Sequence, residues 1–181
     1  VNPEFLVTAN ADTEFQAILN SAELALPDGV GIVYIGNLTG QKISQTNRMT
    51  GVELTHSLLK LAEAEQKSVE VIIPENSLST KEEILTSVQT LYPNGIVRVV
   101  VTSEIQEQSP RADILLVALG APEQEKWIWS RREKLLGTKV AVGVGGTFDF
   151  ISGKISRAPQ WMRSVGLEWL WRLYKEPRRR F

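Results

Sequence analysis

Three short stretches of this chain carry residue types able to do chemistry. The first is Pro27-Asp28-Gly29. Such a tripeptide is first of all a turn, in which the aspartate side chain bonds its own backbone. A carboxylate at the mouth of a cleft, partly desolvated, is equally a general base that can take a proton from an attacking hydroxyl. The second stretch, Gly143-Val144-Gly145-Gly146-Thr147-Phe148-Asp149, sets a glycine-rich turn after an apolar run. Read plainly it is a tight β-to-α turn; read functionally, its backbone N–H groups at a helix start bind a diphosphate. It is not a dinucleotide fingerprint, because Phe148 stands where the third glycine would be, and a nicotinamide-dependent oxidoreductase is disfavoured. In the third, Gly120-Ala121-Pro122-Glu123-Gln124-Glu125, the two glutamates suit the dipole of a first helical turn. Gln124 gains nothing from that dipole, and its amide can both donate to and accept from a uracil or sugar edge.

Other chemistries are bounded by what the composition lacks. Cysteine is absent and His56 is the one histidine, so thiolate and histidine-cluster metal sites are excluded. Asp12, Asp28, Asp113 and Asp149 form no D-x-D pair, which argues against a metal–diphosphate clamp. The expectation is a site with no metal and no cofactor.

Charge and aromatics are unevenly placed. The net charge of −1 divides into +6 over residues 154–181, where eight basic side chains face Glu168 and Glu176, and −7 over residues 1–153. All five tryptophans lie at 127 or later. An acidic body with a basic, tryptophan-rich tail points to an anionic membrane surface, not nucleic acid. On a helical wheel from Pro159 to about Glu176, Trp161, Met162, Val165, Trp169 and Leu173 share one face with Arg172. Leu167, Trp171 and Tyr174 cover much of the other side. Such a helix is buried or lies at a lipid interface. On its apolar face Arg172 either pairs with a carboxylate or reaches a ligand phosphate. The aromatic surface could equally serve a subunit contact in a homo-oligomer. No run of about 18 apolar residues is present to span a bilayer, and no cleavable signal pattern opens the chain.

These motifs need a frame. At 181 residues the chain makes one domain with a C-terminal appendage; we divide it into a catalytic body, 1–155, and a membrane-facing appendage, 156–181. Short strands are predicted at Phe5–Thr8 and Glu23–Leu26, and further strands at Val69–Ile73, Ile96–Thr102, Ile114–Leu119 and Val140–Val144. Helices are predicted over Asp12–Ala22, from a Thr50 capping box to about Gln66, over Ser79–Tyr92, over Pro122–Leu136 and from Pro159. The alternation argues for an α/β fold, a doubly wound, mainly parallel sheet with helices on both faces. Thr8, Asn10, Asp28, Gly120–Gln124 and Gly145–Thr147 would then follow the carboxyl ends of strands, where open α/β sheets bind ligands.

The order of the motifs LPDG at 26–29, NRMTG at 47–51, LGAPEQEKW at 119–127, GVGGTFDFISG at 143–153, RAP at 157–159 and GLEWLWRL at 166–173 followed by EPRR at 176–179 resembles the WecG/TagA/CpsF family of bacterial glycosyltransferases. The likeness runs over nearly the whole chain. It implies an inverting, metal-independent transfer of an N-acetylmannosamine-type or related hexose from a UDP-sugar to a polyprenyl-diphosphate-linked sugar. It also implies a role in teichoic acid or polysaccharide synthesis, and a peripheral position on the cytoplasmic face of the cell membrane. By resemblance, Asp28 is the base, with Thr8 near the reaction centre and Asn10 beside it. Arg48 and Gln124 contact substrate, and Arg172 and Arg179 close over the site from the appendage and bind diphosphate. A non-catalytic, membrane-associated nucleotide-binding scaffold would keep the same fold and tail without needing Asp28.

Overall fold

The computed structural model describes residues 1–44, 48–105, 111–164, 167, 170, 171 and 174. Its centre is a four-stranded parallel sheet of β1 (Ser68–Ile73), β2 (Ile96–Val101), β3 (Ile114–Val117) and β4 (Val140–Gly143), in the order β2-β1-β3-β4. The register sets Val71 beside Val99 and Leu116, and Leu116 beside Val142. β3 is buried throughout and β1 nearly so, as central parallel strands must be when helices cover both faces.

The pleat divides the core in two. Val69, Val71, Ile73, Val99, Ile114 and Leu116 point to one face, under Leu59 and Ala62 of α4 (Gly51–Ala64), Ile84 and Val88 of α5 (Lys81–Leu91), and Phe148 of α7 (Thr147–Ile151). Ile72, Val100, Leu115 and Val117 point to the other face, against Leu135 and against Trp127 and Ile128 of α6 (Glu123–Arg131). Helices therefore flank both faces, as the alternation predicts. α4 and α5 each begin with a capping box, Thr50 with Glu53 and Thr80 with Glu83. In each, the hydroxyl accepts the third N–H while the glutamate returns to the cap N–H.

The first forty residues depart from expectation. Phe5–Thr8 is not a strand but the middle of α1 (Pro3–Ala11). Asn2 accepts the Phe5 N–H at 3.1 Å and Pro3 pre-sets the first turn, so the start signal overrides a short apolar run that fits either period. Phe5 meets Phe15 of α2 (Thr13–Ser21) with ring centroids 5.5 Å apart. Glu23–Leu26 is irregular, with residues 23–25 exposed. Residues 30–38 form a helix, α3 (Val30–Leu38), that the sequence reading did not anticipate, whereas α7 is the helix expected after the glycine-rich turn. Lys126 of α6 reaches Asp12 at 2.7 Å and Glu14 at 2.9 Å, tying α2 to the α6 side of the sheet. Near the end of the chain, α8 covers Gln160–Ser164 and Leu167 lies outside helix, so the predicted run from Pro159 is not one unbroken helix. Met162 is buried there while Trp161 is 64% exposed. Among the described residues no helix is long and apolar enough to cross a membrane.

Candidate functional site

The site builds from the carboxyl ends of β3 and β4. After β3 the chain turns at Gly120, whose φ of 85° favours glycine, and enters α6 through a cis Ala121–Pro122 bond. Gln124, in the first turn of α6, is 3% exposed. Its Oε1 accepts from the Gly120 N–H at 3.2 Å and from the Gly145 N–H at 2.9 Å, so one oxygen joins the loop after β3 to the loop after β4. Its Nε2 donates to Glu125 Oε1 at 2.7 Å. The pair fills the notch left by Gly143, where a β-carbon would stand 2.6 Å from both Gln124 Cδ and Glu125 Oε1.

The turn after β4 is closed by Thr147, whose hydroxyl donates to the Val144 carbonyl at 2.6 Å. The start of α4 packs directly on this turn. A β-carbon at Gly51 would lie 3.2 Å from Thr147 Oγ1 and 3.4 Å from the Val144 carbonyl oxygen. Just upstream, the Met49 N–H donates to the Pro27 carbonyl at 3.1 Å, which brings the Asp28 turn and Arg48 alongside the start of α4. The Asp28 N–H is itself held by the Val1 carbonyl at 2.7 Å. The Val1 nitrogen, bonded to the Leu26 carbonyl, is within electrostatic reach of both the Asp28 and the Glu125 carboxyl groups.

Two cations border this place. Burial pushes the Glu53 carboxyl up, but its bonds to Thr50 and the nearby charges of Arg157 and Arg48 outweigh burial and hold it below the usual range. Burial and the Arg157 charge lower the pKa of His56, one turn further along α4, whose Nδ1 lies 2.7 Å from the Tyr92 hydroxyl. Sequence reasoning counted Arg157 only as tail charge. Its place beside Glu53 and His56 depends on the fold after α7, which no local pattern announces. Glu125 was also passed over, because a first-turn glutamate has a sufficient explanation in the helix dipole. Burial raises its carboxyl above the ordinary range despite the Gln124 bond.

The fold thus gathers Asp28, Arg48, Gln124, Gly145 and Gly146 around the start of α4 and the ends of β3 and β4. Thr8 and Asn10 lie on α1, so they do not follow a strand. Thr8 is half-buried, and its carbonyl accepts the Asp12 N–H at 2.9 Å. Asn10 is exposed and, with Val1, lines an open cleft of about 340 Å³ between α1, α2 and Ala25. Arg172 and Arg179 lie outside the described residues. Among the described residues, no three His, Asp or Glu side chains are grouped to hold a metal ion.

A carboxylate, an arginine and a glycine turn set at the open end of a parallel sheet suit the transfer of a group from a diphosphate. Comparison with known proteins bears on that chemistry. The model of the "Glycosyl transferase WecG/TagA/CpsF family" matches residues 1–181. An N-acetylglucosaminyldiphosphoundecaprenol N-acetyl-β-D-mannosaminyltransferase of Bacillus subtilis strain 168 is 33% identical over 98% of this chain and 70% of its own length. The protein of the same name from Bacillus spizizenii strain W23 is 35% identical over the same shares. That of Staphylococcus aureus strain MRSA252 is 29% identical over 94% of this chain and 68% of its own length. With a match to the family model from end to end, and relatives of this identity over nearly its whole length, the chain belongs to the WecG/TagA/CpsF family of glycosyl transferases.

Proposed function

We propose that this enzyme moves an N-acetylmannosamine-type hexose from a UDP-sugar to a polyprenyl-diphosphate-linked sugar, inverting the anomeric centre without a metal, in the synthesis of teichoic acid or a related surface polysaccharide. The acceptor hydroxyl attacks the anomeric carbon from the face opposite UDP. A new C–O bond forms as the bond to the diphosphate oxygen breaks, and the electron pair leaves with UDP. Asp28 takes the hydroxyl proton, a role worth about 10²–10⁴-fold. Arg48, Gln124 and Asn10 wall the nucleotide-sugar site, with Thr8 near the reaction centre. The Gly145–Gly146 turn, with Arg172 and Arg179 from the appendage, stabilises charge growing on the leaving diphosphate. The basic tail rests on anionic lipid at the inner face of the membrane, each cation contributing about 1 kcal/mol near the surface.

The observation that supports this reading best is the chain of main-chain contacts from Pro27 to Met49 and from Gly51 to the Val144–Thr147 turn. It supports the reading by linking the turn that carries Asp28, through the segment leading into α4, to the turn after β4. The test is UDP release from UDP-N-acetylmannosamine in the presence of an N-acetylglucosaminyl-diphosphate lipid analogue, with and without EDTA. Asp28→Asn should lower kcat by about 10²–10⁴-fold and leave UDP affinity, measured by calorimetry, nearly unchanged. Full turnover in Asp28→Asn removes the base assignment, and loss of activity in EDTA removes the metal-independent mechanism.

A further inference from the structure

The Gln124 amide is largely spent within the protein. Its oxygen serves the Gly120 and Gly145 N–H groups and one of its N–H bonds goes to Glu125, all while the residue is 3% exposed. Glu125 is built differently. Its Oε1 is fixed by Gln124, while Oε2 is buried and has no hydrogen-bond partner among the described residues. An orphaned buried oxygen costs free energy unless a ligand completes it. This oxygen belongs to a carboxyl group that lies, with Asp28, within electrostatic reach of the Val1 nitrogen.

We infer that Glu125 is a substrate-contacting residue that donates a hydrogen bond through Oε2 to the N-acyl carbonyl of a bound sugar, and that Gln124 is the residue that positions it. The inference rests on the transferase reading above. Burial raises the Glu125 carboxyl, and Glu123 beside it on α6 pushes in the same direction. The Gln124 bond and the backbone N–H of Glu125 itself oppose them. Lys126, also on α6, is committed to Asp12 and Glu14 of α2, and β4 carries no titratable side chain. The neutral acid has a proton to give; the ionised form has none and would meet a carbonyl oxygen with repulsion. The donor form is therefore present at low pH and lost as pH rises through the raised Glu125 value. Two carboxyl groups then divide the work, Asp28 as base and Glu125 as hydrogen-bond donor.

The experiment compares wild type, Glu125→Gln and Glu125→Ala in the UDP-release assay across pH, varying the UDP-sugar and the lipid-linked acceptor in turn, alongside thermal melting and UDP calorimetry. Glu125→Ala should lose about 10- to 100-fold in kcat/KM, with UDP affinity unchanged. The substrate whose KM rises identifies which sugar is held. Glu125→Gln, whose amide donates at every pH, should recover most of that loss and remove the alkaline fall seen in wild type. Wild-type kcat/KM in Glu125→Ala overturns the inference. So does an equal loss in Glu125→Gln with the alkaline limb unmoved, or a loss matched in both variants by a lower melting temperature. A wild-type protein that releases no UDP under any condition instead refutes the transferase reading on which the inference stands.

Discussion

Gly143→Ala subjects the loop staple to the smallest change available. The added β-carbon would lie 2.6 Å from Gln124 Cδ and from Glu125 Oε1, far inside contact distance, and neither partner is the free end of an exposed chain. Gln124 must swing away, and the Gly120 and Gly145 N–H groups then lose their shared acceptor. Overpacking costs about 1–3 kcal/mol, and each lost hydrogen bond about 1 kcal/mol. The sum is about 3–5 kcal/mol. For a domain of this length each kcal/mol lowers Tm by about 2–4 °C, so the variant should melt roughly 6–20 °C below wild type. Gly137→Ala is the matched control, since a β-carbon there meets nothing within 4 Å. Circular dichroism melts of the three proteins at one pH and salt concentration decide the matter. A Gly143→Ala protein melting within 1 °C of wild type would refute both the notch and the staple built on it.

Two further outcomes follow from local structure. Thr50→Ala removes the capping box of α4 and should cost about 0.5–2 kcal/mol in urea unfolding, while Thr50→Ser keeps most of it. Glu70, on β1, is 8% exposed, and burial raises its carboxyl more than Arg98, 3.8 Å away, lowers it. A raised folded-state value contributes stability below the unfolded value, and that contribution is lost as pH rises through the folded one. Glu70→Gln should therefore gain in melting temperature relative to wild type as pH rises from about 4.5 to 7; a difference that stays flat or shrinks across that range contradicts the burial effect.

From Thr50 to the end of β4 the architecture was legible because local signals and tertiary demands agree. The Thr50 and Thr80 boxes, the β-branched runs at Val69–Ile73 and Ile96–Val101, and the apolar Ile114–Val117 each point to one element, and the sheet they form has the parallel order such alternation requires. The first forty residues were harder to read for a physical reason. Phe5–Thr8 is too short to distinguish a period of two from 3.6, and Asn2-Pro3 was not weighed as a helix start. Val30–Leu38 has three glycines and asparagines among its nine residues and no charge, so its helix rests on packing more than on propensity. At the site, the positions of Asp28, Gln124 and the Gly145–Gly146 turn could be named from residue types. What the side chains are bonded to could not. That Gln124 spends its oxygen on two main-chain groups depends on Gly145 returning to it across 21 positions, which one-dimensional patterning does not encode.

The candidate base does not sit on the sheet. Asp28 lies at the junction of the N-terminal helical layer with the α/β body, and the hydrogen bond from Met49 to Pro27 ties its turn to the segment leading into α4. The cradle and the base thus belong to separately supported parts, like two jaws with their own mountings. Met49→Pro, which removes the donor of that bond, should loosen one jaw from the other and slow the reaction.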